Sequence, residues 1–250
     1  MQAYLTLVRR ELGGFFVSLT GYVIIASVLL LLGISFTGIL GVLNDSPTDV
    51  PLTELFYKSY YFWIILLVTP PIITMRSFAY EKGSGTYETL MTTPVSDLQV
   101  VLAKFSGTLV FYLLTWLPLF GCIAVVRYLT GEARVLEPWT TASTFLGFAL
   151  MGCLYMSMGC FASALTRSQI IAAMNSLVIG LGLFLLSLRS LVPVPPTDWA
   201  SRFFSYISLS DHVEDFARGF VDTRHLVFYA SLTIFFLFLT LKAVESRRWN

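Results

Sequence analysis

Apolar residues come in six long runs, at roughly 18–43, 58–78, 98–128, 140–165, 169–192 and 223–243. Each approaches or exceeds the ~20 residues that carry a helix across the hydrocarbon of a bilayer. Ahead of the first run, Tyr4, Leu5, Val8, Leu12, Phe15 and Phe16 recur at helical spacing, with Arg9, Arg10 and Glu11 near the opposite side. That pattern predicts an interfacial helix over residues 1–16, lying along a membrane surface. Pro70-Pro71 interrupts the second run and should kink it, an interruption that neighbouring helices can accommodate. Small residues recur four apart at Thr37/Gly41, Gly159/Ser163 and Ser176/Gly180, a spacing that lets helix backbones approach closely.

Three polar segments separate the runs. Residues 44–57 form a polar loop with two prolines, and residues 77–97 carry charges and glycines and then Pro94. Residues 193–224 are only partly polar. There Trp199, Phe203, Tyr206 and Ile207 share one helical face, and Val213, Phe216, Ala217 and Phe220 make a second stripe. Ser208 and Asp211 stand at capping distance for that second helix. The expected fold is therefore all-α and integral to the membrane, one domain over 1–250. It has six transmembrane helices, an N-terminal interfacial helix, and outer amphipathic helices before the last span.

Composition agrees. The chain is 56% hydrophobic and only 12% charged, with a mean hydropathy of +0.76, whereas a soluble domain carries about 25% charged residues. A net charge of +1 gives no footprint for nucleic acid. The three cysteines all lie in apolar runs and imply no disulfide framework. Arg9-Arg10 precede an apolar run that extends to about Leu43, too long for the ~7–15-residue core of a cleaved signal. Basic residues such as Arg9, Arg10, Arg76, Lys82, Lys104, Arg167 and Lys242 hug short loops and helix ends, and the even span count agrees with both termini being cytoplasmic. Residues 77–97 then face the cytoplasm and 193–224 the outside.

Candidate chemistry is sparse. No segment reads Gly-x4-Gly-Lys-Ser/Thr; Gly83-Ser84-Gly85-Thr86 lacks the lysine and reads as a turn. If ATP drives this protein, another chain binds it. His212 and His225 have no ligand partners at metal spacing. Met151, Cys153, Met156, Met158 and Cys160 offer soft sulfur that could suit Cu(I), but the same residues fill helix interfaces, and no metal site is expected. The midspan polar groups are Thr69, Thr74, Asn175 and Ser176, the candidate lining of a translocation path. They include no acid–base or nucleophile–base pair, so no catalytic residue is assigned. The absence of a central carboxylate argues against proton coupling. An ion-coupled secondary transporter or channel, or a membrane enzyme, remains the alternative class.

The informative segment is the loop after the second run. Charges and glycines come first, then a short helical stretch over 86–91, then Pro94 as a stop. A short helix held between two membrane helices is a lever: a partner that moves it tilts both. This loop resembles the type-2 ABC permease family, particularly its gliding-motility-type members. The matching elements are Met75-Arg76, Glu81-Lys82, Gly85-Thr86-Tyr87-Glu88-Thr89-Leu90 and Thr93-Pro94-Val95-Ser96. Further matches are Arg10-Glu11-Leu12, the run from Leu165 to Ile170, the run from His212 to Gly219, and Glu245-Ser246-Arg247-Arg248-Trp249. Ala79-Tyr80 depart from the pattern, which commonly has a second acidic residue there.

The resemblance implies a permease subunit in the bacterial cytoplasmic (inner) membrane, with export as the expected direction. It implies pairing as a homodimer or with a related permease, and two ABC ATPase subunits on the cytoplasmic face. Mg-ATP is expected on the ATPase, with no cofactor bound by this chain. The loop becomes the coupling helix, with Glu81, Lys82, Gly83, Gly85, Thr86, Glu88, Thr89, Leu90, Met91 and Pro94 as the residues meeting the ATPase. An extracytoplasmic auxiliary protein often accompanies such relatives. No enzymatic activity is expected of the chain itself.

Overall fold

The computed structural model describes residues 2–45, 52–87, 95–130, 138–188, 204 and 206–246. Helix α1 (Gln2–Val17) meets α2 (Leu19–Asp45) at Ser18. Short α3 (Leu52–Lys58) leads into α4 (Tyr60–Thr74), and a turn separates α4 from α5 (Ala79–Ser84). Then come α6 (Asp97–Thr130), α7 (Pro138–Leu165), α8 (Gln169–Leu188), α9 (Leu209–Ala217) and α10 (Thr223–Glu245). Six helical stretches are long and apolar enough to cross a membrane: α2, α4 running on through α5, α6, α7, α8 and α10. The described residues form an all-helical membrane domain.

Helix α7 is the hub. It touches α4, α6, α8, α9 and α10, and 67% of its most apolar window is buried within the chain, against 22% for α8. Its small residues explain this. A methyl group on Gly159 would fall 2.0 Å from Thr74 Oγ1, and one on Gly152 would fall 2.4 Å from the Tyr112 ring, so both neighbours press directly on α7 backbone. Lipid tails are as apolar as leucine, so close packing rather than water exclusion holds such helices together. An aromatic core forms where α3, α4, α6 and α7 converge. Trp116 stacks on Phe148 at 4.5 Å between centroids, and Phe56, Tyr57 and Phe62 meet Phe148 at 5.2–6.5 Å. Of the three small-residue pairs, Gly159/Ser163 and Ser176/Gly180 are buried between helices, whereas Gly41 stands in open space.

Helix α9 seals one end of the bundle. Ser208 Oγ accepts from Asp211 N–H (3.3 Å), as the capping spacing predicted. Ser187 Oγ accepts the Leu209 amide at 2.6 Å, while Ser143 Oγ and Thr53 Oγ1 donate to the carbonyls of Phe216 and Ala217. Val213, Phe216 and Ala217 are buried as expected, but Phe220 is 67% exposed. The helix has ended by then, and Gly219, at φ +87°, turns the chain away. The preceding predicted helix falls largely outside the described residues; Tyr206 and Ile207, its last two members, are helical. On α3, burial raises the Glu54 carboxyl, but Lys58 (2.7 Å) and Arg218 (3.4 Å) outweigh it and hold the group below its ordinary range.

His212 lies inside this seal, its ring 4.0 Å from that of His225 and its Nδ1 3.3 Å from Tyr229 Oη; His225 Nε2 in turn meets Asp215 at 2.9 Å. Burial, reinforced by the neighbouring His225, pushes His212 down to about 4. A depressed value means the unfolded chain binds the proton more readily. The stability contributed by neutral His212 is therefore complete above ~6.5, the ordinary histidine value, and is lost as pH falls towards and through 4. The thermal midpoint of detergent-purified protein should drop across that window, and His212→Gln should flatten the drop; a parallel pH profile in the variant would refute the assignment.

Candidate functional site

The opposite end of the bundle holds a charged knot built around the break between α4 and α5. Pro70 and Pro71 lack amide protons, so the last turns of α4 are short of backbone bonds, and regular helix stops at Thr74, before the expected end of the second span. Helix α5 then begins without a side-chain cap from its own N-terminal residue, Phe78. Ser163 of α7 supplies one: its Oγ accepts from the amides of Phe78 (3.1 Å) and Ala79 (3.0 Å) and lies 3.3 Å from the Met75 carbonyl. One buried hydroxyl thus closes the gap between two helices.

Lys104, seven residues into α6 and 2% exposed, is the charged centre. Its Nζ lies 2.9 Å from Glu11 Oε1 of α1 and 2.9 Å from Glu81 Oε2 of α5. Arg10 reaches both carboxylates, at 3.2 and 3.1 Å. The approach of α1 to α6 makes this possible. A side chain on Gly107 would meet Glu11 Cβ at 2.9 Å, and Tyr4 Oη bonds Ser106 Oγ at 2.7 Å. Glu11 therefore faces protein alongside Leu12 and Phe15, while Arg9, Arg10, Leu5 and Phe16 are exposed.

The expected coupling residues divide. Lys82 is buried and donates to the Ala164 carbonyl, so its ammonium is spent inside the chain rather than at an outer surface. Glu81 is mostly covered by Lys104 and Arg10. Gly83, Ser84, Gly85 and Thr86 are exposed. Of the turn expected over Gly83–Thr86, Gly83 and Ser84 are instead the last two residues of α5, because Ser163 starts a helix ahead of them; the turn comes at Gly85, whose φ of +75° ends it. Glu88, Thr89, Leu90, Met91 and Pro94 lie outside the described residues. Thr69, Thr74 and Ser176 are buried in helix contacts, Thr74 bonding the Pro70 carbonyl, whereas Asn175 is exposed on α8. Met151, Met156, Met158 and Cys160 fill the helix core, and no trio of His, Cys, Asp or Glu side chains placed to hold a metal occurs among the described residues.

Sequence reading undervalued Glu11, Lys104 and Ser163. A signal existed for the first two: a lysine inside an apolar run is costly unless a carboxylate reaches it. Ser163 carried none beyond its spacing from Gly159.

Residues 50–241 match the family model described as ABC-2 family transporter protein. The chain belongs to that family. It is also 26% identical to the "Uncharacterized protein YhcI" of Bacillus subtilis over 222 residues, taking in 78% of this chain and 69% of that protein. The chain is thus a multi-pass membrane permease subunit of an ABC transporter, a transport component and not itself a catalyst. ABC-2 permeases work with ATPase subunits in general.

Ser163→Ala would leave two buried amides without an acceptor, at about 1–3 kcal/mol each. Hydrogen exchange at Phe78 and Ala79 should rise sharply in that variant while α10 stays protected. Unchanged exchange would remove Ser163 from its capping role.

Proposed function

We propose that the α5 end of this ABC-2 permease receives the stroke of a separate ATPase and passes it into the spans. The observation that carries this reading is the anchoring of α5. Three attachments hold it: Glu81 to Lys104 and Arg10, Lys82 to the end of α7, and the Phe78 and Ala79 amides to Ser163. The surface beyond them, from Gly83 to Thr86, is exposed. A segment with an open outer edge and an inner edge bonded to three other helices cannot be displaced without moving those helices. The segment 86–91, with Leu90 and Met91 as apolar anchors and Glu88 as the charged contact, continues from that ledge.

Mg-ATP would bind wholly on the ATPase, since the chain has no phosphate loop of its own. Both termini and the α5 end would face the cytoplasm of a bacterial inner membrane, with α9 outside. Two permeases, identical or related, would form the pathway, working as an exporter, and an extracytoplasmic auxiliary protein would meet the α9 end. Anchoring also favours this reading over an ion-coupled carrier: the buried charges Glu54, Lys82 and Lys104 lie towards the ends of the bundle, and none of the described spans holds a carboxylate at its middle.

Glu88→Lys, and separately a Gly/Ser linker in place of residues 86–91, should each reduce ATPase retained on the affinity-purified permease about tenfold, or ~1.4 kcal/mol. Membrane insertion should be unchanged. Full retention and unaltered ATP hydrolysis in both variants would sink the coupling role.

A further inference from the structure

A cavity of about 230 Å³ opens beside the charged knot, between α1, the turn after α4 and the start of α6. One water needs ~10–15 Å³ by the same kind of measure, so this is room for a group of many atoms. Its polar wall includes Arg10, Arg76, Lys104, Glu11 and Glu81, three cations to two carboxylates; Phe15 and Gly14 supply an apolar wall.

The charges are unequally satisfied. Both carboxylates are shared between Lys104 and Arg10. Arg76 has no carboxylate among the described residues. Its Nη1 donates to the hydroxyls of Ser18 and Thr20, at the start of α2, and its guanidinium lies 5.3 Å over the Tyr80 ring. Those contacts hold the plane in place through neutral groups. They also use only one nitrogen. Nε–H and the two Nη2–H donors meet no acceptor among the described residues, and they form the edge by which arginine takes a phosphate bidentately. The α1–α2 elbow at this cavity exposes Phe16, Val17, Leu19, Tyr22 and Val23, an apolar margin beside a polar pocket.

From this geometry we infer that the cavity binds the phosphate headgroup of an anionic phospholipid, with Arg76 as its principal ligand. The headgroup phosphate supplies the missing counter-charge, its glycerol fits the remaining volume, and the acyl chains lie along the exposed elbow. Basic pockets between membrane helices at the interface recognise anionic lipids by this chemistry. The bound lipid fastens α1 to α2 as Lys104 fastens α1 to α6. The site is independent of the ATPase reading and is tested without the ATPase.

The test is native mass spectrometry of the full-length chain in detergent, titrated with phosphatidylglycerol, phosphatidylcholine or inorganic phosphate. Wild type should retain phosphatidylglycerol at least ~5-fold better than phosphatidylcholine, ~1 kcal/mol of preference. Arg76→Gln should abolish that preference, and Lys242→Gln, on α10 and outside the cavity's lining, should leave it intact. Gly14→Leu guards against a merely misfolded Arg76 variant. A Cβ on Gly14, which lines the cavity, meets nothing within 4 Å, so the larger side chain enters open space there, and it should lower phosphatidylglycerol retention with no loss of thermal midpoint. Equal retention of both lipids, wild-type retention in Arg76→Gln and Gly14→Leu, or displacement by equimolar inorganic phosphate would each overturn the lipid assignment, the last in favour of a free-anion site.

Discussion

An ammonium group buried in an apolar helix is the constraint on which the α5 end of this permease depends. Removing Lys104 from water costs several kcal/mol, and attraction to well-placed carboxylates must offset that cost. Glu11 and Glu81 are those carboxylates, and they come from helices far apart in sequence. Satisfying one charge therefore fixes where α1 lies on α6 and where α5 stands relative to both. Gly107, Ser106 and Tyr4 are shaped to the same approach. A leucine at position 104 would pack well enough in lipid and specify none of this.

The hub helix extends that logic across the bilayer. At one end of α7, Ser163 and the Ala164 carbonyl hold α5; at the other, Ser143 holds the carbonyl of Phe216 and Gly147 lies under its ring. Between them, Gly152 and Gly159 bring α6 and α4 onto its backbone. Small side chains serve twice here, allowing close approach and freeing hydroxyls to satisfy backbone groups that water cannot reach. A displacement of α5 would thus be applied directly to the helix that also carries α9.

Much of the architecture was legible from hydrophobic runs, because a spanning helix is written in about twenty consecutive residues and needs no tertiary information. The Ser208 cap and the Val213/Phe216/Ala217 stripe were legible for the same reason: both are local. What escaped was relational. Nothing in the run around Phe78 says that a serine 85 residues later will accept its amide, so Gly83-Ser84 read as part of a turn when they are helix. Lys82 read as a surface charge for the same reason. Glu11 looked solvent-facing because one helix alone cannot reveal that its polar edge meets another charge. Phe220 continued a helical stripe that Gly219 had already terminated.

The central claim, that Lys104 ties α5 to α6 through a buried charge, is most directly tested by a double-mutant cycle on Lys104→Met and Glu81→Gln, read by denaturant unfolding in mild detergent. Lys104→Met alone should cost about 3 kcal/mol, since it strands carboxylates at a largely covered site. Adding Glu81→Gln should recover part of that loss, giving a coupling energy of about 1–3 kcal/mol. Additivity within ~0.5 kcal/mol would contradict the account.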